Sequence, residues 1–94
     1  MVSKRVTVID RTGLHMKPAA ILCKRAAQFA CTVQIKNETG IYNAKSVISV
    51  LGACVRNGDE IEVICDGEDE REAVDSLVYD ISHKLYHEET EQGE

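Results

Sequence analysis

Apolar and polar residues alternate from Arg5 to Ile9, with Val6 and Val8 on one side and Arg5 and Thr7 on the other. Period two predicts a half-buried strand. From Met16 to Ala30 the period lengthens: Ala19, Leu22, Cys23, Ala26 and Ala30 share one face, and Lys24, Arg25 and Gln28 the opposite one. That is a helix with a single buried stripe. Ile21 falls among the polar residues, where it reads either as an ordinary exposed side chain or as a docking contact. Thr32 to Lys36 and Ile41 to Ala44 read as strands joined at Asn37-Glu38-Thr39-Gly40, a hairpin. Ser46 precedes the apolar run Val47, Ile48, Val50 and Leu51, which predicts a brief helix with Ser46 near its N-cap. Asn57-Gly58-Asp59 is a turn, and Glu60 to Cys65 alternates again with Ile61 and Val63 inward.

Asp69 opens the last helix, with Glu72 three residues on as an approximate capping box. Its expected buried stripe is Ala73, Val74, Leu77, Val78, Ile81 and Leu85. The order strand, helix, strand, strand, helix, strand, helix predicts a two-layer α+β domain, four strands with the helices stacked on one face. That domain is expected over residues 1–87, followed by an acidic tail at 88–94 with nothing to bury.

Composition narrows the class. At 94 residues and 44% hydrophobic, with one proline, the chain suits one folded domain with a modest core. No apolar run reaches membrane-spanning length and no signal-peptide pattern follows the first residues, so a soluble cytoplasmic protein without membrane contact is expected. Net charge is −5, with acidic residues gathered at Asp59 to Glu72 and in the tail, and basic ones at Arg11, Lys17, Lys24 and Arg25. Such asymmetry suits docking of acidic partners on one face and argues against nucleic acid. Cys23, Cys31, Cys54 and Cys65 form no C-x-x-C pair and read as reduced, mostly buried thiols.

The chemistry concentrates at Gly13-Leu14-His15-Met16-Lys17-Pro18-Ala19-Ala20. Glycine permits a tight turn, and Pro18 suits a first helical turn, where its missing N–H costs nothing. Unpaired N–H groups and the positive end of the dipole favour an anion there, and Lys17 adds a cation. With a reference pKa of about 6.5, histidine offers a neutral nucleophilic nitrogen near neutral pH. His15 is therefore a candidate phosphoryl acceptor, with Lys17 stabilising the charge. Phosphoryl transfer asks little more of a protein than positioning and charge stabilisation.

Ser46 has two compatible readings, a plain N-cap and a regulatory phosphorylation site favoured by the helix start. His83 and His87 stand four apart on the last helix, but no third ligand has a defined position, so neither a metal nor any other cofactor is expected.

These motifs resemble the HPr family, the histidine phosphocarriers of the bacterial sugar phosphotransferase system. The likeness runs from Arg5 to about Leu85 and is most specific at Gly13-Leu14-His15 with Pro18-Ala19, and at Ala44-Lys45-Ser46 before the short helix. Gly58-Asp59-Glu60 and Gly67-Glu68-Asp69-Glu70 add weaker support. The resemblance implies an open-faced β-sandwich in which a four-stranded antiparallel sheet carries three helices. It implies that His15 accepts a phosphoryl group from enzyme I, ultimately from phosphoenolpyruvate, and passes it to the IIA components of sugar permeases. Such a relay has no catalytic turnover of its own. It implies that a serine kinase/phosphorylase modifies Ser46 and that this form recruits a transcriptional regulator. Ala20, Val47, Ile48 and Leu51 match the family's apolar docking patch, which Ile21 can join.

Three departures stand out. Lys17 replaces the family's arginine, exchanging a planar bidentate fork for a point charge. Met16 takes a usually small position, and Ala53-Cys54 replace the common Leu-Gly. A monomeric carrier is the leading expectation. The alternative is an HPr-like regulatory paralogue acting through phospho-Ser46 in carbon catabolite repression.

Overall fold

The computed structural model describes residues 1–9, 13–14 and 16–83. Its elements are β1 (Val2–Thr7), α1 (Met16–Ala26), β2 (Thr32–Asn37), β3 (Gly40–Asn43), α2 (Val47–Gly52), β4 (Glu60–Asp66) and α3 (Glu70–Ser82). The four strands form one antiparallel sheet in the order β1-β4-β2-β3. This is the predicted α+β open-faced β-sandwich with the predicted element order.

Strand alternation sorts the two sheet faces. Val6, Val33, Ile35, Ile61, Val63 and Cys65 point inward and are buried. Opposite them Arg5 pairs in register with Glu62, and Lys36 with the same Glu62, on the solvated face. The helices cover the inner face: α3 packs on β1 and β4, while α2 packs on β3 and on α1. Leu22 from α1 and Leu77 and Ile81 from α3 meet Ile35 and Ile61 in a single core. Burying each of these side chains contributes about 1.5–3 kcal/mol. Among the described residues, no helix is long and apolar enough to cross a membrane.

Several predicted boundaries move, each for a tertiary reason. β1 begins at Val2 and ends at Thr7, where the Arg5–Ile9 pattern had placed it later. Cys65 supplies a ladder partner as far back as Val2. Val8 stays fully buried but leaves the ladder, its N–H donating to Asp59 O at 2.9 Å and its carbonyl accepting from Gly58 N at 2.7 Å.

Helix α1 stops at Ala26 rather than Ala30, and Ala30 is exposed. Gln28 and Phe29 tighten the exit with bonds to Arg25 O and Ala26 O, and Lys45 Nζ takes the Phe29 carbonyl at 2.7 Å. The N–H groups of Ala30 and Cys31 donate to the two Asp69 carboxylate oxygens, at 2.8 and 2.9 Å. The capping box at Asp69 is consequently absent, because that carboxylate caps no N–H of its own helix. Glu70, not Glu72, reaches back, accepting from Gly67 N at 3.0 Å.

Gly67 sits at φ 152°, and a Cβ there would lie 2.7 Å from Cys31 Cα, so the strand ends can approach only at a glycine. The hairpin turn shrinks to Glu38-Thr39, with Asn37 Oδ1 accepting from Thr39 N and Gly40 N.

Cys23, Cys31 and Cys65 are buried and Cys54 is exposed. Burial, with the neighbouring Cys31 thiol, pushes the Cys65 thiol up to about 12, so it stays protonated and inert at neutral pH. Leu85, His87 and the 88–94 tail lie outside the described residues.

Candidate functional site

What aims the start of α1 is a contact distant in sequence. Gly13 adopts φ 73°, and a side chain there would run into the Val55 carbonyl oxygen and lie 2.7 Å from Arg56 Cα. Leu14, buried, donates its N–H to that same carbonyl at 2.9 Å. The segment following α2 therefore clamps the two residues that lead into α1.

That segment is itself braced. Asp59 Oδ2 accepts from Arg56 N at 2.9 Å, Asp59 N donates to Arg56 O at 3.0 Å, and Asn37 Nδ2 donates to Ala53 O at 2.9 Å. The exit of β1, the β2–β3 turn and the α2–β4 loop thus meet at one end of the sheet. Cys54 lies in this loop, exposed, at φ 54°, the left-handed region that disfavours a side chain. Glycine, which the family resemblance led one to expect here, is the residue such a φ favours.

His15 lies outside the described residues, as does Arg11. Its chain neighbours do not. Leu14 is anchored as above, and Met16 opens α1, 60% exposed. Lys17 is exposed in the first turn, Pro18 is buried behind it, and no acidic residue occupies that turn. The first four N–H positions of a helix lack intrahelical partners and carry its positive pole. Lys17 adds an exposed cation at that pole.

Ser46 is the N-cap of α2, as expected: with extended backbone, its Oγ accepts from Ser49 N at 3.3 Å, and Ser49 Oγ accepts from Asn43 N at 2.9 Å. The remaining predicted docking residues sit on α1 and α2, which pack together. Ile48 is 82% exposed and Ala20 is exposed, while Val47 and Leu51 are half-buried. Ile21 is half-buried and packed against the core, so it is less of a free surface side chain than its polar neighbours suggested.

His83 stacks on Tyr79 with ring centroids 3.9 Å apart, and its Nδ1 lies 2.8 Å from the Tyr79 carbonyl. Among the described residues no group of three potential metal ligands is assembled.

The sequence marked Asn37 and Asp59 only as turn and motif residues and did not mark Arg56. An Asn-Gly-Asp turn marks the loop, but nothing local says that it abuts Gly13, far earlier in the chain.

Comparison with known proteins adds to this geometry. Residues 2–82 match the family model for the phosphotransferase-system HPr component phosphorylation site. The chain is 34% identical over 77 residues to the phosphocarrier protein HPr of Lysinibacillus sphaericus, covering 82% of this chain and 88% of that one. It superposes on the crystal structure of HPr from Bacillus anthracis with a TM-score of 0.82 at 30% identity, covering 85% and 95% of the two chains. It is also similar to the crystal structure of Crh from Bacillus subtilis, a catabolite repression protein described as a domain-swapped dimer. That TM-score is 0.72 at 34% identity, over 88% of this chain and 95% of that one.

Proposed function

The chain belongs to the HPr family of phosphotransferase-system phosphocarriers, and we propose that it relays a phosphoryl group through His15 from enzyme I to IIA components of sugar permeases. The observation that carries this reading is the Gly13-Leu14-His15 motif leading directly into α1, inside the span matched by the family model. In the acceptor step a neutral ring nitrogen of His15 supplies the electron pair of the new N–P bond, and the pair of the broken bond leaves with the donor. The helix start and Lys17 offset the charge that arrives. His15 returns to its starting form when the group moves on, which makes the chain a carrier without turnover of its own.

Charging the chain with phosphoenolpyruvate and enzyme I tests the proposal. The expected product is an acid-labile phosphate that disappears in His15→Ala; an unlabelled wild-type chain, under conditions that charge a relative, overturns it. Docking falls to Ala20, Ile21, Val47, Ile48 and Leu51, and Ile48→Asp should then raise the apparent KM for both partners while leaving the fold intact.

A second reading is favoured by the likeness to Crh. Here Ser46 is phosphorylated by a serine kinase and the modified chain binds a transcriptional regulator, with His15 slow or idle. Its signature is an acid-stable phosphate lost in Ser46→Ala. The carrier reading takes the chain as a monomer. Sedimentation of the purified protein distinguishes that from a swapped dimer.

A further inference from the structure

We propose that Cys31 and Cys65 form a redox pair, closing into an intrachain disulfide by exchange with a small-molecule disulfide that enters when the Asp69 latch opens. Their placement is tertiary. Thr32 pairs with Asp66 and Val33 with Cys65, and Gly67 lies so close to Cys31 that an added Cβ would come within 2.7 Å of its Cα and Cβ. Cys31 and Cys65 are therefore diagonal neighbours where β2 meets β4, both turned to the buried face. Their thiols hydrogen-bond to each other. The Cys31 thiol also reaches the Asp69 carboxylate, which makes a row of carboxylate, thiol and thiol.

While the fold is closed, the pair is protected. Cys31 is 2% exposed and Cys65 0%, and burial raises both thiols, so neither is a ready nucleophile. The cover over Cys31 is light. The chain just before it is irregular and, apart from the half-buried Phe29, exposed. Its ties are polar: the Ala30 and Cys31 N–H groups donate to the Asp69 carboxylate, and Lys45 Nζ donates to the Phe29 carbonyl. Segments held by such exposed bonds open locally, well below the cost of global unfolding. Opening this one uncovers Cys31 first.

In the open form the Cys31 thiol loses its proton and attacks one sulfur of the small disulfide. A new S–S bond forms, the old one breaks, and the first small thiolate leaves with the electron pair. The attached group does not fit a side chain that is 2% exposed. The latch recloses only when the Cys65 sulfur, giving up its own proton, displaces the second small thiolate. The two cysteines lose two electrons and two protons in all, and the small disulfide becomes two thiols. The new bond ties the start of β2 to the end of β4.

The test treats the folded Cys54→Gly chain, which lacks the exposed thiol, with oxidised glutathione at neutral pH, and maps the cysteines by mass spectrometry. Of the four cysteines three remain in that chain. The expected product keeps one free thiol, Cys23, and carries a Cys31–Cys65 link that dithiothreitol reverses. Asp69→Ala should speed its formation about tenfold, the scale of one hydrogen bond to a charged group. Urea below the unfolding transition should change the rate little, because local opening exposes little surface. Should Asp69→Ala fail to fold, Asp69→Asn, which keeps one acceptor oxygen, replaces it with a smaller gain expected.

A chain that keeps all three thiols, or that ends as a glutathione adduct without the link, overturns the proposal. So does a rate that climbs steeply with urea and is unmoved at Asp69, because the pair would then close only through global unfolding. His15 does not enter the readout, so failure here leaves the carrier reading standing.

Discussion

The two ends of the sheet are closed by different devices. At the end where α3 begins, backbone N–H groups of Ala30, Cys31 and Gly67 are taken up by the Asp69 and Glu70 carboxylates, and Lys45 takes the Phe29 carbonyl. Charged side chains there satisfy the chain itself. At the end where α1 begins, the bracing runs mostly through backbone and short polar groups: Leu14 to Val55, Val8 to Asp59, Asn37 to Ala53. The long cations there, Lys17 and Arg56, remain exposed. One end uses its charges to hold the fold. The other is held mainly through its backbone, with its long cations exposed.

The largest effect should come from breaking the contact that organises the α1 end. Gly13→Ala sets a Cβ against the Val55 carbonyl and 2.7 Å from Arg56 Cα at a positive φ. A loss of about 2–4 kcal/mol is expected from strain and forced displacement, measured by urea unfolding. The corresponding test at the other end is Asp69→Ala, which strands two N–H groups and should give the next largest fall in urea midpoint.

That end should also respond to acid. Hydrogen bonds from the Ala30 and Cys31 backbone hold the Asp69 carboxyl below its ordinary value, and the Gly67 N–H does the same for Glu70. Because both pKa values are lower folded than unfolded, their contribution is present above the unfolded value, about 4, and is lost as pH falls through the folded one. Stability should decline below that pH in the wild type and more shallowly in Asp69→Asn. A slope unchanged by that substitution would assign the acid response elsewhere.

Cys54→Gly relieves a left-handed residue at the α1 end and should stabilise by about 1 kcal/mol, after the extra freedom glycine gives the unfolded chain. The smallest change is Ser46→Ala, whose cap bond to Ser49 N is long at 3.3 Å, so a loss of about 0.5 kcal/mol is expected. A Ser46→Ala chain that still charges normally at His15 would separate the cap's structural role from carriage.

Period was enough to find every element, because a two-residue or 3.6-residue repeat is written locally. Val6 and Val8, Leu22 and Cys23, and Leu77 and Ile81 are buried as the pattern placed them. Element ends were less legible. Ala30 continues the apolar stripe of α1, yet the helix stops at Ala26. An aspartate distant in the chain captures the N–H groups that follow. Asp69 misled for the same reason: a carboxylate before a helix reads as its cap until a competing donor comes into view.

By itself, then, the sequence determined the α+β class, the order of elements, the buried stripes, the family likeness and the motif around His15. These depend on neighbours a few residues apart. Only the tertiary structure decided where helices and strands end, why Gly13 and Gly67 tolerate no side chain, and that Arg56 lies across from the approach to α1. Each of those depends on two distant backbones coming into van der Waals contact, and no local pattern records which distant residues will meet.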